Sequence, residues 1–447
     1  MTEPVDATWI AQNLSDRSSN GIDLGMRALI RSGLIPIGTR LPPIRDIASA
    51  MGVSPATVAA AWARLQKQRI LTGQGRNGTW VSGARSLSVP KRFASSGNFG
   101  ASVLDLSFAV PDPALLPRLH RALAHGAEAD QLNSYARVAI LPELEEAVRP
   151  DWPYAPEAFL AINGGYSAVH TLFHALSLRG ARVAVEYPAA LRHLDILEDL
   201  GAAILPVACD TEGPLPDRLA EVLAQRPEIF LLQPRLHSVT GQTLSPTRLA
   251  ALAQVLAHGD TVVIEDDGLA DLALVPAQSL GRWLPERVVH VKSFSKTHGP
   301  DLRLAVLSGP SGLVAQVRGY RAFSSGWTSR ILQGATAWLL RDPATQDLLA
   351  RARIVYRDRR AALVDALRAE GVMAEPGTGL CAWVPVASEQ YAMVSLAAHG
   401  IAVAPGSRFG LAPLNHLRVA TSRLDPGRVA DVVHALVLGA ADPQKLQ

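Results

Sequence analysis

Ser293-Phe294-Ser295-Lys296-Thr297-His298-Gly299-Pro300-Asp301-Leu302-Arg303 is the stretch whose reading decides the fold. It follows the apolar run Val288-Val289-His290-Val291, so Lys296 is expected in the turn just past the carboxyl end of a strand, where open α/β sheets bind ligands. A lysine there forms a Schiff base with an aldehyde cofactor once its amine is partly neutral. Desolvation beside another cation moves a lysine pKa in that direction. Ser293, Ser295 and Arg303 put two hydroxyls and a guanidinium fork around the same turn, the donor set that a phosphate needs. Together they describe a pyridoxal 5'-phosphate site; the plain alternative is a solvated loop carrying a Lys and an Arg.

Working outward, the upstream run Thr261-Val262-Val263-Ile264-Glu265 has a buried-strand pattern and ends in Asp266-Asp267. A carboxylate at that strand end holds a pyridine nitrogen protonated and makes the cofactor ring an electron sink. The competing reading of Asp266 is a cap or turn former. From Phe159 to Leu307 apolar runs alternate with helical stretches, at Phe159–Ile162, Ala181–Val185, Ala202–Val207, Ile229–Leu232, Thr261–Ile264, Val288–Val291 and Leu304–Leu307. That alternation specifies an α/β fold with a mostly parallel sheet and helices on both faces. Helices near Ile331–Leu340 and Gln346–Arg368 lead to a smaller αβ unit around Cys381–Val386, Ile401–Ala404 and Leu417–Ala420.

The first 83 residues read differently. Leu24–Ile30 has an amphipathic pattern stopping at Gly33, Ile44–Met51 follows Pro42-Pro43, and Ser54-Pro55 is a cap and first-turn signal for a third helix through Val58, Trp62 and Leu65. Helix, glycine turn, helix is a helix-turn-helix. Ile70-Leu71-Thr72 and Thr79-Trp80-Val81 then flank a turn-rich segment, as in a two-stranded wing. Arg40, Arg45, Arg64, Lys67, Arg69 and Arg76 supply local positive charge suited to phosphates. Residues 84–104 have linker composition, and the second globular pattern occupies 105–447, its larger part at about 105–330 and its smaller part at about 331–447.

Composition sets the outer limits. At 447 residues and 48% hydrophobic the chain builds two or three domains with sizeable cores. A net charge of +3 steers nothing globally, so nucleic acid must be met through a local patch. Cys209 and Cys381 are the two cysteines and offer no disulfide framework or metal spacing. Neither a signal-peptide pattern nor an apolar run of spanning length is found, so a soluble, cytoplasmic protein without membrane contact is expected.

Gly38-Thr39-Arg40-Leu41-Pro42-Pro43-Ile44-Arg45-Asp46-Ile47-Ala48, Gly52-Val53-Ser54-Pro55-Ala56-Thr57-Val58 and Gly75-Arg76-Asn77-Gly78-Thr79 resemble the winged helix-turn-helix of GntR-type regulators. That resemblance implies operator contacts at Arg45, Ser54, Thr57, Arg76 and Gly78. Pro55 stands where family members often carry Arg. The remainder resembles fold-type I aminotransferases, through Leu106 to Pro113, Asn163-Gly164-Gly165, Val183 to Pro188, Thr240-Gly241, Glu265-Asp266-Asp267, the Lys296 motif and Leu417-Arg418-Val419. The combination is similar to the MocR family of GntR regulators, in particular its PtsJ-like branch.

By resemblance Lys296 is the Schiff-base lysine, Asp266 the pyridine-nitrogen partner, and Arg303 with Ser293 the phosphate holders. Gly165 and Tyr166 add backbone N–H donors at a helix start, and Arg418 takes an effector carboxylate. The family also implies a homodimer in which each winged module is swapped onto the partner's large domain. Three positions depart from the aminotransferase pattern: Ser238 replaces Asn, Gly268-Leu269 lacks the expected Tyr, and Ala190 replaces a stacking aromatic ring. Transamination needs those contacts more than cofactor anchoring does. The leading expectation is a non-enzymatic transcriptional regulator that senses pyridoxal phosphate, or an amine or amino acid reacting with it, in a vitamin B6 context. The alternatives are an aminotransferase with a DNA-binding arm, or a regulator whose second half has lost the cofactor and senses another small molecule.

Overall fold

The computed structural model describes residues 5–31, 33–68, 70–73, 78–82, 90, 92, 99–100, 102–129, 132–176, 178 and 180–440. The chain divides into two compact units, Met1–Lys91 with Leu197–Ala202, and Arg92–Ile196 with Ala203–Gln447.

In the first unit, helices α1 (Ala7–Gln12), α2 (Ser19–Arg31), α3 (Ile44–Met51) and α4 (Pro55–Lys67) precede or flank three short strands, β1 (Arg40–Leu41), β2 (Leu71–Gly73) and β3 (Thr79–Val81). The turn between α3 and α4 is set locally. Gly52 ends α3 in the left-handed region at φ 65°, which costs a glycine nothing. Ser54 Oγ then accepts from Thr57 N at 3.1 Å, and Pro55 opens α4. Ile47, Val58, Trp62 and Leu65 bury the facing sides. Helix α2 begins at Ser19, earlier than the amphipathic stretch at Leu24, because Ser18 Oγ accepts from Gly21 N at 3.0 Å and Ile22 is buried. The wing has a third strand that periodicity missed. Gly38 N donates to Val81 O and Val81 N to Thr39 O, both at 2.9 Å, which ties β1 antiparallel to β3.

The second unit is entered at β4 (Leu104–Asp105) and is built on β5 (Ala158–Ile162), β6 (Arg182–Tyr187), β7 (Ala203–Asp210), β8 (Gly213–Pro214), β9 (Ile229–Leu232), β10 (Val262–Asp267), β11 (Val288–Ser293) and β12 (Ala305–Gly309). Strands β5 to β12 form one eight-stranded sheet in the order β5-β12-β11-β10-β9-β6-β7-β8. The β11-β10-β9-β6-β7 ladder is parallel, and β12 and β8 run antiparallel to their neighbours. Strands β9, β11 and β12 are buried along their whole length, as a sheet covered on both faces requires. One face packs Phe230 and Val263 against Leu249, Leu252 and Leu256, and another cluster joins Phe159, Phe294 and Leu304 to Trp152 and Leu339.

The 27-residue helix Pro343–Ala369 leads to the smaller layer, β13 (Cys381–Pro385), β14 (Ile401–Ala402), β15 (Ala404–Pro405) and β16 (His416–Ala420). Strand β4 pairs parallel with β14, so the entering segment joins this smaller layer, where Leu106 is buried with Ile401 and Leu417. The helix Arg330–Arg341, in contrast, buries Ala335, Ala337 and Leu339 with the large sheet's cluster. Among the described residues no helix is long and apolar enough to cross a membrane.

Candidate functional site

Lys296 lies in the turn that follows β11, just past the carboxyl ends of β10 and β11. Its Nζ donates to Ala109 O at 2.9 Å. Burial lowers the lysine pKa to about 8, and the positive charges of Arg418 and Arg192 add to the shift. The turn closes through Gly299, at φ 125°, and Arg303, at φ 45°, a left-handed position that a side chain adopts at some cost. That backbone turns Arg303 toward the Asn163–Gly164 loop, where Nη2 donates to Asn163 O at 3.4 Å.

Asp266 occupies the end of β10, and strand alternation puts it on the opposite face from Glu265 and Asp267. Behind the sheet Glu265 accepts from Ser279 Oγ at 2.6 Å and Leu280 N at 2.7 Å, while Asp267 pairs with Arg235 at 2.7 Å. Those bonds hold the strand end in place from the rear. On the front, His193 Nε2 stands 3.0 Å from Asp266 Oδ2. The ring of Tyr166 meets His193 edge-on at 5.6 Å, with the guanidinium of Arg192 4.9 Å above it. Burial and the Asp266 charge push the Tyr166 phenol up to about 12, so it stays a protonated donor.

The helix Gly165–Ala175 points its N-terminus at this place. A side chain at Gly165 would bring a Cβ to 3.2 Å from Ser293 Cβ and 3.5 Å from Asp266 Oδ1, so glycine lets the helix start lie close to both without displacing Ser293. Arg418, on β16, is buried; its Nη2 donates to Ser107 O at 2.8 Å and it lies 4.5 Å over the Phe409 ring. Its Nε has no hydrogen-bond partner among the described residues.

One cavity of about 340 Å³ joins these groups. Lys296, Asp266, Arg303, Ser293 and Ser295 line it, as do Gly165, Tyr166, Ser238 and Arg418. Every cofactor or effector residue singled out from the sequence therefore faces one space, although they span 254 positions of chain from 165 to 418. The three departures face it too, as Ala190, Ser238 and Gly268 with Leu269. Ser238 is positioned through its backbone, whose N–H donates to Gln233 Oε1 at 2.8 Å. Of three residues that could compensate for the departures, Tyr166 lines the cavity; Tyr187 Oη instead accepts from Leu411 N at 3.0 Å, and His237 sits 3.5 Å from Glu186. Sequence reasoning missed His193 and Arg192. Both lie within a few residues of Ala190, but only the start of the helix Leu191–Asp199 turns them toward Asp266 and Tyr166. The residues present fit pyridoxal phosphate: a partly neutral lysine, a buried carboxylate, a phosphate cradle at a helix N-terminus, and an orphaned guanidinium N–H.

In the first unit Arg45 and Ser54 are exposed and Thr57 is half-buried at the start of α4. Ser54 Oγ and Thr57 Oγ1 lie 2.8 Å apart, so the pair that caps the helix also presents its hydroxyls outward. Gly78, at φ 108°, opens β3 beneath Arg40, whose guanidinium lies 5.6 Å over the Trp80 ring. Arg64 Nε lies 3.9 Å from Asp23 Oδ2, with the Arg64 side chain 41% exposed. Arg76, like Arg69, lies outside the described residues.

The sequence and fold compare with known proteins as follows. Residues 20–81 match the family of bacterial regulatory proteins, gntR family, and residues 101–436 match aminotransferase class I and II. The chain is 34% identical over 435 residues to the vitamin B6 salvage pathway transcriptional repressor PtsJ of Salmonella typhimurium, covering 95% of this chain and 99% of PtsJ. It is 27% identical to the HTH-type transcriptional regulator TauR of Rhodobacter capsulatus, over 96% of this chain and 98% of TauR. Among solved structures, the α-aminoadipate aminotransferase LysN of Thermus thermophilus superposes with a TM-score of 0.68 at 24% identity, over 76% of this chain and 92% of LysN. Such identity shows the fold alone. The chain belongs to the MocR-type transcriptional regulators, in which a GntR helix-turn-helix is joined to an aminotransferase class I and II domain.

Proposed function

We propose that this regulator binds pyridoxal 5'-phosphate at Lys296 and that the cofactor, or an amine or amino acid reacting with it, is the signal read out at operator DNA. The observation that carries the reading is the cavity itself, which brings Lys296, Asp266, Arg303 and the Gly165 helix start together with the unpaired Nε of Arg418. When bound, the cofactor supplies an aldehyde that condenses with amines. This chain's own residues do the rest. Arg303, Ser293 and Ser295 with the Gly165 and Tyr166 N–H groups hold the phosphate. Asp266, with His193 Nε2 3.0 Å from its Oδ2, would hold the pyridine proton. Arg418 takes the carboxylate of an incoming amino acid.

Leu269 and Ser238 leave the cofactor's phenolic oxygen with fewer donors than an aminotransferase provides, which weakens transamination more than it weakens anchoring of the cofactor. A receptor needs only a ligand that prefers one of two conformations. Operator contacts come from Arg45, Ser54, Thr57 and the wing at Arg76 and Gly78. The assembly is a homodimer in the cytoplasm, with the winged modules exchanged between protomers as the family resemblance implies.

The test is spectroscopic and then functional. Added pyridoxal phosphate gives purified protein a visible absorbance band that is absent from Lys296→Ala, and the cofactor changes the affinity of the wild type for its promoter but not that of the variant. Absence of the band overturns the cofactor reading in favour of another small molecule. Turnover of an amino acid with a keto acid at ordinary enzyme rates of about 1–1000 per second would instead make it an aminotransferase.

A further inference from the structure

The helix that starts at the cofactor pocket carries a second constellation on its flank. His170 and His174 are one turn apart on Gly165–Ala175, and their Nε2 atoms lie 3.1 Å from each other. The rings are 4.4 Å apart and inclined at 51°. The His174 ring is stacked on Tyr320, 5.7 Å away and only 8° from coplanar, which restricts its rotation. His170, with Ser167, Thr171, Tyr320 and Ser324, lines a separate cavity of about 370 Å³.

Two imidazole nitrogens at that separation suit a single ion. With metal–nitrogen bonds of about 2.0–2.1 Å, nitrogens 3.1 Å apart subtend roughly 95–100° at the metal, between the square-planar and tetrahedral angles. Imidazole selects copper, nickel and zinc over magnesium and calcium, which prefer oxygen donors. Among the described residues no group of three His, Cys, Asp or Glu surrounds a common point, so the two imidazoles are the ligands proposed, beside a cavity with room for water. Arg321, which lines that cavity, is engaged elsewhere, with Nη1 donating to Ala161 O at 2.6 Å and Nη2 to Thr328 Oγ1 at 2.9 Å.

We propose that His170 and His174 form a bidentate site for a divalent transition metal of the copper, nickel or zinc class. The ion clasps successive turns of the helix whose first residue lines the cofactor cavity, so occupancy stiffens the element that presents N–H groups to the phosphate. The competing account of the 3.1 Å separation is a hydrogen bond between one protonated and one bare ring nitrogen.

Calorimetric titration of the untagged, metal-free full-length chain with copper(II), nickel(II), zinc(II) and, as control, magnesium(II) decides between them. The transition metals bind and magnesium does not. His170→Ala and His174→Ala each weaken binding at least about tenfold, because a chelate loses its intramolecular second ligand. His258→Ala, which removes an exposed histidine elsewhere, leaves the affinity unchanged. Circular dichroism of the variants without metal checks that the helix is intact. Wild-type affinity in both site variants, or no transition-metal binding by the wild type, overturns the proposal and leaves a ring-to-ring hydrogen bond only.

Discussion

At the scale of single residues, the lysine is where burial becomes chemistry. An amine lowered to about 8 is about one-tenth neutral at pH 7, several hundredfold more than an exposed lysine provides. Capture of pyridoxal phosphate should therefore speed up as pH rises from about 7 and level off above about 9, a profile measurable by stopped-flow absorbance. The sign for stability follows from the same shift. Between about pH 8 and 10.5 the unfolded chain binds the extra proton, so the cofactor-free fold gains stability as pH rises through that window. Lys296→Met should flatten that part of the pH–stability curve. The departures make a complementary prediction. Leu269→Tyr restores a donor toward the phenolic oxygen and should tighten cofactor binding by about 1 kcal/mol, about fivefold in equilibrium titration. An unchanged dissociation constant would mean the cofactor does not lie against Leu269.

At the scale of elements, the turn between α3 and α4 shows how local chemistry sets a recognition surface. The Ser54 cap and the left-handed Gly52 both act within a few residues, so sequence alone located the turn. Ser54→Ala should destabilise the winged unit by about 1 kcal/mol, read as a lowered denaturation midpoint. Arg45, exposed on the second residue of α3, predicts a different signature. Its replacement by alanine should weaken operator binding and reduce the salt slope by about one, while the visible cofactor band is preserved. Operator affinity equal to wild type removes Arg45 from the interface. Strand β1 was not legible because two residues carry no periodicity; its existence depends on hydrogen bonds to Val81 that only the folded wing provides.

At the scale of the whole molecule, a regulator with one operator-reading unit per chain gains specificity by two-fold association. A homodimer requires paired half-sites spaced by multiples of a helical turn. Analytical ultracentrifugation with footprinting at a bound promoter checks both; a monomer protecting a single half-site would remove the dimer from the proposal. Behind the sheet the buried pairs Glu265 with Ser279 and Asp267 with Arg235 fix the end of β10, whereas Arg418 is carried by the smaller layer.

The residue order by itself determined the two-unit plan, the helix-turn-helix and the succession of sheet strands, since each rests on periodicity, capping or turn chemistry within a few residues. It also marked the lysine turn and the carboxylate. Tertiary structure decided what those marks amount to. Only the crossing of β10 and β11 with the start of the Gly165 helix and with β16 places Lys296, Asp266 and Arg418 on one cavity, and only there do His193 and Arg192 acquire their neighbours. Contacts between residues hundreds of positions apart have no local signature, because burial and the field of neighbouring charges exist only after the sheet has closed.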